Sequence, residues 1–291
     1  MKLPPFSVHR PRSIHEATGL LAELGDDAAA YCGGTELLLA MKLGLAGYEH
    51  LVDLKQVAGL QGITRHNGSL RIGAAATHHE IESSPDVRAW CPAMAAMSSR
   101  VVNLRVRSVG TLGGNLCFAD PHSDPATFLI AAGATLVCQR GGESRRIPAG
   151  EFVTGPYQTR LELGELLVAV ELPAFPEGTG LAHVRMKLHE RPVVTVAAVV
   201  RLTDGAVSDA RLAVGSVGVV PESSGAARSL VGAGDANFGA RADACAAEAA
   251  ASCSPMSDGD CSPEYLRHLV RVHAHQALTA AFAAAQSKGP K

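Results

Sequence analysis

Ser108-Val109-Gly110-Thr111-Leu112-Gly113-Gly114-Asn115-Leu116-Cys117-Phe118-Ala119-Asp120-Pro121-His122-Ser123-Asp124 is the stretch on which the reading of this chain turns. Three glycines, an asparagine and a proline so close together suit neither an amphipathic helix nor an ordinary strand. Gly113 and Gly114 let a backbone turn sharply and come close to a ligand without Cβ interference. Successive N–H groups in such a turn form a concave nest for an anion, typically a phosphate. Thr111 and Asn115 add side-chain donors at its rim. Asp124, an acceptor only, suits a ribose hydroxyl or an amide.

A second stretch has the same character: Tyr31-Cys32-Gly33-Gly34-Thr35-Glu36-Leu37. The apolar run Ala28–Cys32 leads into the glycines, and Leu37, Leu38, Met41 and Leu45 leave them at helical spacing. Strand, Gly-Gly-Thr turn and helix form a phosphate-binding arrangement. Two such loops suggest a ligand with two phosphates held from two sides, which a dinucleotide is. Neither loop matches the G-x-G-x-x-G or G-x-x-x-x-G-K-[ST] patterns, so the usual Rossmann and P-loop readings fail.

Taken together, Cys32-Gly33-Gly34-Thr35-Glu36-Leu37-Leu38 and Thr111-Leu112-Gly113-Gly114-Asn115-Leu116, continued by Asp120-Pro121-His122-Ser123-Asp124, resemble the FAD-binding (medium) subunits of the molybdenum hydroxylases, the family of carbon monoxide dehydrogenase and xanthine dehydrogenase. The resemblance covers nearly the whole chain and is weakest at its C-terminal end. It departs from the family at Cys32, where Ala is usual, and at Leu39, where Pro is common.

The resemblance implies an α+β chain: an FAD-binding type-2 (PCMH-like) unit of two α/β subdomains, 1–56 and 57–174, followed by a C-terminal domain, 175–291, with a three-stranded antiparallel sheet and helices. It implies FAD in this chain, molybdopterin in a large partner subunit and [2Fe–2S] clusters in a small one, assembled as a dimer of heterotrimers. The chain would pass electrons from the clusters through FAD to an external acceptor. Flavin contacts are then expected from Cys32, Gly33, Gly34, Thr35, Glu36 and Leu37 of the first loop. Thr111, Leu112, Gly113, Gly114 and Asn115 would add those of the second, with Thr77, Asp124, Leu166 (or Leu167) and Lys187. Lys187, in K-x-x-x-R with Arg191, would set a cation beside the flavin ring and tune its potential. No catalytic residue is expected on this chain. Two alternatives stand beside this reading: a single-chain FAD-dependent oxidoreductase of the same fold, and a flavin-free structural subunit.

At 291 residues the chain is long enough for two or three domains. With 47% hydrophobic and 19% charged residues it is globular rather than disordered. A net charge of -2 gives no electrostatic case for nucleic acid or an anionic membrane surface. Residues 1–12 carry no apolar segment of a signal peptide, and no run reaches the 18 apolar residues of a membrane span; a cytoplasmic protein is expected. Seven cysteines without a C-x-x-C pair argue against a disulfide framework or a cluster bound here.

Along the chain, Ser13 with Glu16 reads as the cap of a helix ending at Gly25. Thr77 caps a short helix on which His78 and His79 read as surface residues, while the resemblance implies that the Ala75–His78 region lies near the flavin. The alternation of 101–109 reads as a half-buried strand. Strands are expected at 6–8, 28–32, 51–54, 70–74, 135–139 and 165–171, then at 182–189, 193–202 and 210–217. Asp204-Gly205 signals a hairpin. Two helices, about 238–251 and 264–286, flank a polar loop at 252–262, and His268, His273 and His275 read as solvated.

Overall fold

The computed structural model describes residues 2–188, 190–257 and 261–287. Its first layer is a three-stranded parallel sheet. Strands β1 (Ser7–His9), β2 (Ala28–Tyr31) and β3 (His50–Asp53) stand in the order β1-β3-β2, crossed by helices α1 (Ile14–Leu24) and α2 (Leu37–Leu43). The Ser13 hydroxyl caps α1 by accepting from Glu16 N–H at 3.1 Å. The Glu16 carboxylate closes on Arg12 N–H at 2.7 Å, one residue before the cap. Gly44, left-handed at φ 73°, ends α2.

The second layer is a five-stranded antiparallel sheet in the order β4-β5-β10-β6-β7, from β4 (Ile63–His66), β5 (Ser69–Gly73), β6 (Thr135–Arg140), β7 (Glu143–Pro148) and β10 (Leu166–Pro173). Between β5 and β6 run six short helices: α3 (His78–Ser83), α4 (Pro85–Trp90), α5 (Pro92–Ser98), α6 (Leu104–Arg107), α7 (Leu112–Phe118) and α8 (Asp124–Ala132). A further helix, α9 (Ala149–Phe152), and a hairpin, β8 (Val153–Gly155) and β9 (Gln158–Thr159), precede β10. Their core centres on fully buried Phe128, Phe152, Leu70, Ile72 and Leu129. Each such side chain contributes roughly 1.5–3 kcal/mol by leaving water.

The C-terminal sheet has the expected three long antiparallel strands, β11 (Thr179–Leu188), β12 (Arg191–Thr203) and β13 (Ala206–Gly215), and a short fourth, β14 (Glu222–Ser224). Asp204 and Gly205 turn the β12–β13 hairpin with φ 52° and 77°. Helices α10 (Asp235–Ser252) and α11 (Pro263–Gln286) cover one face, and α8 packs on the other beside Ala197, Val199 and Ala213. His189, the expected end of the first strand, and residues 258–260 of the expected polar loop lie outside the described residues.

Two local expectations are corrected. Residues 101–109 form no strand: Asn103 accepts from Val106 N–H at 3.1 Å and starts α6. A cap outcompetes an alternating pattern here because Leu104 and Val109 have nothing to pack on and stay half exposed. The stretch after Thr111 is a helix despite its glycines, for a reason that belongs to the site.

Candidate functional site

The two glycine loops face each other across one cleft of about 370 Å³. The first loop follows β2 and the second opens α7. Of the expected residues, Cys32, Gly33, Gly34, Thr35, Glu36 and Leu37 line it from one side. Thr111, Gly113, Gly114, Asn115 and Leu166 line it from the other.

The glycines do different work from that expected. Thr111 is the N-cap of α7, and its hydroxyl accepts from Gly114 N–H at 3.0 Å. Leu112 N–H donates to the Ala76 carbonyl at 2.9 Å, Gly113 N–H to Ala74 at 2.8 Å, and Asn115 N–H to Thr111 at 3.0 Å. The N–H groups of Leu112, Gly113 and Gly114, which a helix start leaves orphaned, are thus taken. The second loop is no anion nest. Gly113 is required because a Cβ there would stand 2.7 Å from both Cβ and carbonyl oxygen of Ala74. A Cβ on Gly33 would overlap the Val109 carbonyl, where the two loops touch. Gly34 holds φ 71°, a left-handed conformation that other residues rarely adopt.

The first loop is different. Among the described residues, the N–H groups of Gly34, Thr35 and Glu36 meet no protein acceptor, and they border the cleft. Opposite them Asn115 Oδ1 accepts from the Ser123 hydroxyl at 2.7 Å, which leaves the amide nitrogen as its cleft-facing donor. Burial pushes the Cys32 thiol upward, partly offset by a hydrogen bond from Thr111, so Cys32 stays a protonated, unreactive wall residue.

Four expected residues lie outside this cleft, although Asp124 lines the crevice that adjoins it. Thr77 caps α3 in a complete capping box with Glu80 and pairs by a β-bridge with Thr111, so it positions the second loop from behind. Leu112 is fully buried beneath it. Asp124, 4% exposed, is held between Arg185 and His183 of β11, the latter at 3.4 Å. Burial alone would raise this carboxyl; His183 and Arg185 outweigh it and hold it below the ordinary value. Asp124 is therefore an anchor between α8 and the C-terminal sheet. Lys187 is exposed and lines neither the cleft nor its extension.

Several residues have parts at the site, or burial, that the sequence did not assign to them. Arg191, at the start of β12, pairs with Asp120 and, at 3.1 Å, with Glu36. One guanidinium thereby ties the C-terminal sheet to both loops. His78 is a correction: it is 2% exposed, lines the cleft, and burial lowers its imidazole to about 4, so it is neutral. His79 keeps the surface role, paired with Glu82 at 2.9 Å. His273 is corrected too, being buried with Nδ1 at 2.8 Å from the Leu269 carbonyl. Glu165 sits on the cleft wall, held by Arg145 through two hydrogen bonds of 2.7 Å. Val102 joins the cleft to a crevice beneath Arg191 in a left-handed conformation, φ 42°, which a β-branched residue rarely adopts.

Comparison with known proteins agrees along the whole chain. Residues 4–175 match the FAD binding domain in molybdopterin dehydrogenase, and residues 183–281 match the CO dehydrogenase flavoprotein C-terminal domain. The chain is 34% identical to the carbon monoxide dehydrogenase medium chain of Hydrogenophaga pseudoflava, over 96% of this chain and 98% of the relative. It is 32% identical to the nicotine 6-hydroxylase medium subunit of Paenarthrobacter nicotinovorans, over 93% and 95%. A solved structure of the Hydrogenophaga pseudoflava carbon monoxide dehydrogenase superposes with a TM-score of 0.93 at 33% identity, covering 98% of this chain and 99% of that one. Quinoline 2-oxidoreductase from Pseudomonas putida 86 gives 0.90 at 30%, covering 99% of both.

Proposed function

The chain belongs to the FAD-binding medium subunits of the molybdenum hydroxylases, heteromeric oxidoreductases, and from that premise we propose how its cleft holds and serves the flavin. Its partners are a large and a small subunit. Bound there, FAD would supply one- and two-electron transfer between an iron–sulfur cluster and an acceptor. What the chain supplies is binding, orientation and exclusion of water.

The observation that carries the site assignment is the run of N–H groups at Gly34, Thr35 and Glu36, without protein acceptors, on the floor of a cleft. They would grip the pyrophosphate, with the Thr35 hydroxyl and the Asn115 amide as further donors. Gly114, exposed on the opposite wall, leaves room for the phosphates. Gly33 and Gly113 act one step back, by letting the walls come together. Glu36 would repel a pyrophosphate, and Arg191 offsets that charge; burial raises the Glu36 carboxyl and the guanidinium opposes the rise. Leu166, Leu167 and Val102 form an apolar wall against which the ring system would lie. Arg191, which lines the adjoining crevice, would be the cation at that end rather than Lys187.

Residues 1–56, 57–174 and 175–291 serve as three units, each built on its own main sheet. Among the described residues no helix is long and apolar enough to cross a membrane, and the cysteines form no disulfide. Both suit a cytoplasmic complex, for which a dimer of heterotrimers is the proposed assembly.

The test is Gly114→Asp. A Cβ there would stand 2.8 Å from the Thr111 hydroxyl and displace that cap at about 1 kcal/mol, while an acidic residue in a first helical turn is favourable, so the fold is retained. The new carboxylate faces the phosphates, a like-charge contact costing several kcal/mol. FAD content of the purified complex should fall below roughly a tenth of the parent's. An unchanged FAD content rules out this pocket.

A further inference from the structure

The crevice that Val102 joins to the cleft holds about 50 Å³ and is rich in charge. The carboxylates of Glu36, Asp120, Asp124 and Glu190 line it against the guanidiniums of Arg185 and Arg191. Arg191 serves Glu36 and Asp120, Arg185 serves Asp124 from β11, and Glu190 is exposed. Among the described residues one further titratable side chain lines the crevice, His122 of the second loop. It is half-buried and held at two points. Its backbone N–H donates to Asp120 Oδ1 at 2.9 Å, and its ring Nδ1 stands 2.9 Å from the Pro192 carbonyl at the start of β12. A carbonyl only accepts, so Nδ1 carries the hydrogen and the neutral ring keeps its lone pair on Nε2. Among the described residues Nε2 meets no hydrogen-bond partner, and it is not sealed from solvent. The backbone of β12 thus fixes the tautomer and leaves an unengaged acceptor at the crevice.

We propose that His122 carries a proton for the reduced flavin, with Nε2 at the ring edge where N1 and the C2 carbonyl hold the negative charge. This inference rests on the FAD reading and adds which side chain answers the ring's change of charge. Two electrons, arriving singly from an iron–sulfur cluster, and one proton at N5 convert the oxidised ring to its reduced anion. A second proton goes from solvent to Nε2, so the net charge at the crevice does not change. On reoxidation both electrons leave to the acceptor and both protons return to solvent. The crevice gives the reason. A further negative charge beside four carboxylates and two guanidiniums is unfavourable unless a cation comes with it. Both guanidiniums are already paired. His122 is the group there that can become a cation, since histidine changes charge between about pH 5 and 8. Beside N1 and the C2 carbonyl the unprotonated Nε2 sets lone pair against lone pair. Protonation turns it into the donor of a charge-assisted hydrogen bond, strongest when the ring is an anion.

The experiment follows the flavin midpoint potential of the whole complex against pH. The spectrum of the reduced flavin is taken alongside, as a difference from the deflavinated complex. Within the range of about pH 5 to 8 the parent should take up a second proton per two electrons. The reduction equilibrium then shifts a further tenfold per pH unit, about 30 mV. The reduced ring should keep the spectrum of its anion throughout, because that proton is on His122. His122→Asn retains a donor for the Pro192 carbonyl in place of Nδ1–H but cannot titrate. In it the second proton should be lost, or move to the ring and bring the spectrum of the neutral reduced flavin. His122→Ala removes the tie to Pro192 as well. If Asn behaves as the parent and Ala alone deviates, the role is structural and the proposal is overturned. A parent that takes up no second proton in this range overturns it too. So does a parent whose reduced ring turns neutral in step with that proton, and both results are read without any variant. A parent complex that holds no FAD is a different result, since it removes the FAD reading itself and this inference with it.

Discussion

Gly113→Ala should damage this protein although it replaces a poor helix former by the best one inside a helix. An added Cβ would stand 2.7 Å from the Ala74 carbonyl oxygen, about 0.7 Å short of the 3.4 Å at which ordinary contact begins. Ala74 cannot simply retreat, because its carbonyl accepts from Gly113 N–H at 2.8 Å and its own N–H is tied to Val168 in β10 at 3.0 Å. A retreat of that size would lengthen the first bond beyond hydrogen-bonding range. Overpacking costs about 1–3 kcal/mol and a lost backbone hydrogen bond about 1. The helical preference of Ala over Gly returns about 1. The expected net loss is about 1–3 kcal/mol. Gly19→Ala is the internal control: Gly19 lies inside α1 with nothing within 4 Å of an added Cβ, so the same change should stabilise by about 0.5–1 kcal/mol. Urea unfolding of the two variants beside the parent gives both signs. Equal midpoints for Gly113→Ala and parent, or equal destabilisation by both variants, would refute the view that the cleft walls are set by backbone contact at this glycine.

Asp124→Asn should behave as a broken buried ion pair and not as a lost flavin contact. It leaves Arg185, whose side chain is 9% exposed, without its carboxylate, a defect of about 3–5 kcal/mol in unfolding free energy. Because the folded carboxyl titrates below its ordinary 3.8, its contribution is present above that value and fades as pH falls through the lower folded one. Acid unfolding should therefore begin at higher pH in the variant, and identical acid curves would contradict the anchor role. His78, lowered to about 4 from 6.5, gives another pH signature. Between those values the unfolded chain binds a proton that the folded one refuses, so stability falls on acidification across that window, by on the order of 3 kcal/mol. In His78→Asn that part of the slope should vanish, and urea midpoints at pH 7 and pH 5 would reveal it.

The family of this chain, and the two loops that line its cleft, were legible in local sequence. The two Gly-Gly loops, the capping residues Ser13 and Thr77, the Asp204-Gly205 hairpin and the long strands of the C-terminal sheet are local signals. Each depends on a few neighbouring residues having a conformational need that only certain residue types meet. Edge strands β4 and β7 were illegible because they are largely solvated, so nothing enforces apolar alternation. Helix α7 was misread because its glycines answer to Ala74, about forty residues away in the chain, and not to any turn of their own. Only the tertiary structure decided which loop keeps unpaired N–H groups, because that depends on which carbonyls other segments bring to them. It alone buried His78, paired Asp124 with Arg185 and put Arg191 on Glu36. Charge pairing and burial are relations between distant segments, and no window of sequence contains them.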